Sequence, residues 1–116
     1  MTGAQAMRVL LSREPNIDAV VAGSDQIAIG AIGVAQRLGR RVPQDIAIVG
    51  FDDVPEAAFF WPSLTTVSQQ LIDVGCLAVE KLHHIIEAKR RGEPDINLAP
   101  TVLTPELVVR ESSVLV

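Results

Sequence analysis

The sequence has no tyrosine, one tryptophan and three phenylalanines among its 116 residues. A core built on aromatic bulk is excluded, so the interior must come from Ile, Leu, Val and Ala. The four rings are also bunched, all lying between Phe51 and Trp61. Cysteine is equally scarce. Cys76 is alone, so no internal disulfide can form, which fits a reducing cytoplasm. Long hydrophobic runs are missing, and a span of about 20 apolar residues would be needed to cross a bilayer. The opening MTGAQAMRVLLSREP lacks the apolar stretch of a secretory leader. Positive charge is in deficit: 10 Lys and Arg against 14 Asp and Glu give a net charge of −4. A chain of that sign is not expected to grip a phosphate backbone. The nucleophile elbow GxSxG, the phosphate loop GxxxxGK[ST] and the dinucleotide fingerprint GxGxxG are all absent, so neither a catalytic residue nor a cofactor is expected.

What is present is a globular composition, 48% hydrophobic and 21% charged, at a length that suits one domain. A helix is expected over 2–14, closed by Pro15. A short apolar strand follows at 19–22. Ser24 then offers an N-cap and Asp25 a first-turn acid for a helix over 25–38 that Gly39 stops. The run 46–51 is apolar without alternation, which marks a parallel strand covered on both faces. A short helix over 56–60 ends before Pro62. Residues 64–68 are β-branched and extended. The longest helix runs over 69–91, with Leu71, Gly75, Ala78, Leu82 and Ile85 stepping along one stripe expected to be buried. Val102-Leu103 and Leu107-Val108-Val109 make a final strand broken at Pro105, and the tail Val114-Leu115-Val116 is apolar. This alternation predicts an α/β fold with a mostly parallel sheet flanked by helices. Because the chain opens on a helix and offers few strands, it is expected to be the C-terminal part of a larger domain.

Two loops carry the most suggestive chemistry. Gly23-Ser24-Asp25 and Phe51-Asp52-Asp53 each follow the carboxyl end of an expected parallel strand, where open α/β sheets bind ligands. Ser24 offers a hydroxyl beside free helix amides, and Asp52 an acceptor pair suited to sugar hydroxyls or amines. The plainer alternative is that Ser24 only caps a helix and Asp52-Asp53 only turn the chain. Phe51, Phe59, Phe60 and Trp61 can stack on a ligand, anchor a subunit contact, or simply be buried. The helix stretch 27–35 has no polar side chain, so both its faces should be covered. A subunit interface through Ile27, Ala28, Ala31, Ile32 and Ala35, joined by Phe59, Phe60 and Trp61, is the favoured explanation; a second layer from the same chain is the other. Cys76 and His83 share a helical face with Glu80, but the spacing of Cys76, His83 and His84 matches no zinc pattern. A metal is not expected there, and Cys76 reads as a small buried apolar residue. Lys89-Arg90-Arg91 reads as a helix end, and no helix-turn-helix is present.

Four segments together resemble the lactose-repressor/galactose-repressor family. Ala22-Gly23-Ser24-Asp25-Gln26-Ile27-Ala28-Ile29-Gly30-Ala31 is similar to its xNDxxAxGA segment, and Val42-Pro43-Gln44-Asp45-Ile46-Ala47-Ile48-Val49-Gly50-Phe51-Asp52-Asp53 to VPxDIxVVGFDD. Pro62-Ser63-Leu64-Thr65-Thr66-Val67 is similar to PPLTTV, and the PELVVRESS stretch that begins at Pro105 to PELVVRES. The resemblance implies part of a two-lobed, periplasmic-binding-protein-like (type I) sensor domain. In the family an N-terminal helix-turn-helix binds operator DNA and a small effector closes the lobes. It implies that 1–63 and 100–116 belong to the C-terminal lobe and the 69–92 helix to the N-terminal one. The expected partners are a sugar-like effector, a second copy in a homodimer, and operator DNA through a head outside this sequence. No membrane partner is expected, and the implied location is the cytoplasm. Ser24 stands where the family often has an effector-binding Asn, Asp52 matches the acid at its cleft, and Leu71 stands where an aromatic often packs on the effector. Asp25 and Phe51 complete the expected ligand-binding set. The rivals are a periplasmic-type solute receptor of the same fold and an enzyme, for which Asp52-Asp53 is the only acid pair on offer.

Overall fold

The computed structural model describes residues 2–94 and 99–115. The chain divides into two compact units, residues 1–68 with 107–116 and residues 69–106.

The first unit opens on α1 (Gly3–Arg13). Thr2 and Gln5 form a capping box: the Thr2 hydroxyl accepts from the Gln5 amide at 3.3 Å and the Thr2 amide donates to the Gln5 side chain at 2.9 Å. β1 (Ala19–Val21) leads to α2 (Asp25–Arg37), whose N-cap Ser24 accepts from the Ile27 amide at 3.3 Å. β2 (Ala47–Val49) follows, then a 3-10 turn (Pro55–Ala58), then β3 (Thr66–Ser68). β1 and β2 are parallel, with Ala19 opposite Ala47 and Val21 opposite Val49. On the other edge of β2, Val49 makes a parallel bridge to Thr65, and the Ile48 amide donates to the Ser112 carbonyl at 2.9 Å. β2 is thus interior, as its unbroken apolar run requires, and Ile48 is wholly buried. β3 pairs with β4 (Glu106–Val108).

α2 is where expectation and structure part. Ala28, Ala31, Ile32 and Ala35 are buried inside the unit, with Met7, Ile46, Ile48 and Leu64. They cannot form a subunit interface. The second layer comes from α1, and Gly3 makes that approach possible: a Cβ there would lie 2.1 Å from the Ile27 carbonyl oxygen. The two helix backbones touch where no side chain fits, so the apolar girth of α2 is consumed by its own chain.

The second unit is dominated by α3 (Leu71–Arg90). No residue of α3 is buried, and Leu71 and Leu82 of the expected stripe are 61% and 57% exposed. Cys76 is exposed as well. Within this unit the short described stretch 99–106 is too little chain to cover twenty helical residues. In the apolar tail Leu115 is exposed, while Val116 lies outside the described residues.

Candidate functional site

Parallel pairing in register puts the carboxyl ends of β1 and β2, at Val21 and Val49, on one rim. Ser24 and Asp52 each stand three residues beyond those ends. Two backbone bonds fasten their loops together: the Ala22 amide donates to the Val49 carbonyl at 2.8 Å, and the Asp25 amide to the Phe51 carbonyl at 2.8 Å. The rim is therefore a single shelf carrying Ser24, Phe51 and Asp52, all half-buried.

The shelf is held in an unusual backbone conformation. Asp52 and Asp53 have φ of 116° and 53°, in the left-handed region that side chains other than Gly, Asn and Asp rarely enter. The surrounding bonds maintain it. The Asp52 amide donates to the Val67 carbonyl at 3.0 Å. The Asp53 amide donates to the Thr66 hydroxyl at 3.3 Å, and its carboxylate accepts from the Arg110 guanidinium at 2.8 Å. Arg110 also donates to the Leu64 carbonyl at 2.9 Å. Strain of this kind persists where neighbours over-determine it, and clusters at ligand sites.

Asp25 behaves differently from its expected role as a ligand contact. It is wholly buried, and both its oxygens are occupied. One accepts from the Thr66 hydroxyl at 2.5 Å, the other from the Val54 amide at 2.9 Å. An acid that is inaccessible and fully bonded has nothing to offer a guest, so its task is internal. Gly50 makes room for it: a Cβ at position 50 would stand 2.2 Å from Asp25 Oδ1. Half-buried Ser24 caps the helix start, where its hydroxyl accepts from the Ile27 amide. Leu71 belongs to the second unit, where it opens α3 and is exposed. Among the described residues no group of three or more His, Cys, Asp or Glu comes together that could hold a metal.

Thr66, Arg110 and Ser112 are the residues that local pattern did not single out. Buried Ser112 accepts from the Thr65 amide at 2.8 Å and donates to the Ile48 carbonyl at 2.6 Å, tying the returning chain to the inner edge of β2. Their only signal lay in the segments that carry the family resemblance.

Away from the rim, Phe59 and Trp61 are 87% and 79% exposed, and Ile27 and Phe60 are each 40% exposed. Beside Trp61 lies a concavity of about 560 Å³ lined by Gln36, Arg40, Pro43 and Glu111 among others. Arg41 grips Asp45 there through two side-chain bonds of 2.6 and 2.9 Å, which hold the Asp45 carboxyl well below the usual carboxylate range. The Ser63 amide and hydroxyl, each 3.0 Å from Glu111, lower that carboxyl as well.

Comparison with known proteins gives a consistent result. Residues 1–113 match the periplasmic binding protein-like domain family. The ribose operon repressor of Halalkalibacterium halodurans is 39% identical over 106 residues, covering 91% of this chain and 30% of its own length. The chain thus spans about a third of the curated relatives it matches. A LacI family transcriptional regulator from Arthrobacter sp. FB24, solved in complex with lactose, superposes with a TM-score of 0.84 at 31% identity, over 96% of this chain and 40% of that one. The lac repressor dimer, solved bound to operator and the anti-inducer ONPF, does so at 0.83 and 27% identity, over 97% and 37%.

Proposed function

The chain belongs to the periplasmic binding protein-like domain family, in the form carried by lactose-repressor/galactose-repressor-type regulators, and from that premise we propose that it is the effector-sensing and dimerising portion of a transcriptional repressor. The observation that carries the reading is the shared rim, where Ser24, Phe51 and Asp52 stand on two loops bonded to each other. A hydroxyl, an aromatic ring and a carboxylate on one shelf suit a small polyhydroxylated guest. A sugar or related metabolite is the proposed effector, in keeping with the lactose held by the Arthrobacter regulator.

The helix over 69–92 is proposed to belong to the opposite lobe of the sensor, with Leu71 contributing an apolar surface to the effector. The exposed Ile27, Phe59, Phe60 and Trp61 are proposed as homodimer contacts; the solved lac repressor is itself a dimer. Operator binding belongs to a DNA-binding head outside these residues, and the setting of such a repressor is the cytoplasm. The mechanism is a population shift. An effector that binds one lobe arrangement better than the other moves the dimer between its operator-bound and released states, by no more than its difference in affinity for the two. No catalytic step is assigned to Asp52-Asp53.

The test is a titration of the isotopically labelled chain with lactose and ribose, followed through its amide signals. The expected result is weak binding that perturbs Ser24, Phe51 and Asp52 and disappears in Asp52→Asn. Amide signals at the rim that ignore both sugars while others respond would overturn the assignment of the site. In parallel, gel-shift should find no sequence-specific DNA binding by these residues alone.

A further inference from the structure

We propose that Asp25 is a positioning residue, whose buried carboxylate fixes the loop 51–54 against β3 and so sets the backbone on which Asp52 meets its guest. This rests on the reading of the rim as a ligand site, and it gives the site a built-in connection to the strand on which the chain leaves the unit. The connection is a continuous set of bonds. Asp25 takes the Val54 amide with one oxygen and the Thr66 hydroxyl with the other. The same Thr66 hydroxyl accepts from the Asp53 amide, and the Asp53 carboxylate holds Arg110. Arg110 in turn grips the Leu64 carbonyl and, through its amide, the Thr65 hydroxyl. Asp52 lies inside this frame, its own amide bonded to Val67 on β3. Asp52 at φ 116° and Asp53 at φ 53° do not hold themselves in that conformation; a loop released from Asp25 relaxes toward the ordinary regions of backbone space. The buried carboxylate is suited to the task because charge-assisted bonds to it are stronger than neutral ones, and because leaving any member unpaired in the interior is costly. Moving Asp52 toward a guest therefore pulls on Thr66, and moving β3 pulls on Asp52.

The experiment is amide hydrogen exchange on the full chain, comparing wild type with Asp25→Asn, Thr66→Val, Thr66→Ser and the double variant Asp25→Asn/Thr66→Val. Thr66→Val keeps the shape but removes the hydroxyl that Asp25 and the Asp53 amide share. We expect it to lower protection at Asp53 and Val54 by about tenfold or more, the scale of leaving one buried partner unsatisfied. Protection of β1 and β2 should stay near the wild-type value. Asp25→Asn should act in the same direction, and the double variant should lose no more than the larger single loss. Thr66→Ser should restore protection. Loss spread evenly over the unit, equal behaviour of Thr66→Val and Thr66→Ser, or a wild-type loop that exchanges freely would overturn the proposal. The ligand reading fails separately: if neither lactose nor ribose perturbs the rim but the exchange pattern holds, the positioning role stands without its guest.

Discussion

Adding one methyl group at Gly50 should damage this protein more than its size suggests. A Cβ at that position would stand 2.2 Å from Asp25 Oδ1, 3.0 Å from Leu64 Cδ2 and 3.2 Å from Asp25 Cα. The first atom is a buried carboxylate oxygen held by the Thr66 hydroxyl and the third is backbone, so neither can swing aside. Overpacking alone costs about 1–3 kcal/mol. Displacing the carboxylate from the Thr66 hydroxyl or the Val54 amide adds about 1.5–3 kcal/mol for a bond to a charged group. The expected loss for Gly50→Ala is roughly 2.5–6 kcal/mol, a large part of the ~5–15 kcal/mol by which a domain is stable. Gly33→Ala is the control. It adds the same methyl in the interior of α2 with nothing within 4 Å, so it should stabilise by about 0.5–1 kcal/mol through helix propensity. The assay is urea unfolding followed by far-ultraviolet circular dichroism, because the exposed Trp61 is a poor reporter of core packing. A Gly50→Ala midpoint equal to wild type would refute the packing of Asp25 against β2.

Three further outcomes can be checked. Ser112→Ala should cost about 1–3 kcal/mol in the same assay, since it leaves the buried Thr65 amide without its acceptor. Trp61→Ala should weaken self-association in analytical ultracentrifugation with little change in the unfolding midpoint, because the side chain is largely exposed. Asp45 and Glu111 are both held below their ordinary values, so their contribution is full above the unfolded carboxylate value near pH 4 and is lost as pH falls through the depressed ones. The stability gap between wild type and Ser63→Ala should accordingly close in acid; a gap that widens below pH 4 would contradict the Ser63–Glu111 contact.

The parts of this fold legible in the sequence were those governed by neighbours in the chain. Ser24 and Asp25 announced the start of α2, and the unbroken run around Ile48 announced an interior parallel strand. The order of elements then fixed which rim the two loops share. What local pattern could not reveal was which distant residue meets which. Asp25 has the composition of an exposed first-turn acid, and only Thr66, 41 positions away, makes it an interior one. The apolar face of Ala28, Ala31, Ile32 and Ala35 is one that pattern alone cannot assign to a second layer of the same chain or to a second subunit. The absence of a side chain at Gly3, which lets α1 lie directly on α2, is a fact of three-dimensional approach that periodicity does not record. The stripe on α3 differs for the opposite reason: its period is right, but among the described residues of its own unit too little chain packs over it.

The central claim is that the ends of β1 and β2 form one ligand shelf. Its most direct test is a crystal structure of the chain grown with lactose or ribose. The account predicts the sugar lying over that rim, with a hydroxyl within about 3.2 Å of the Asp52 carboxylate. A sugar seated instead in the concavity beside Trp61 and Arg40, with the rim untouched, would contradict it.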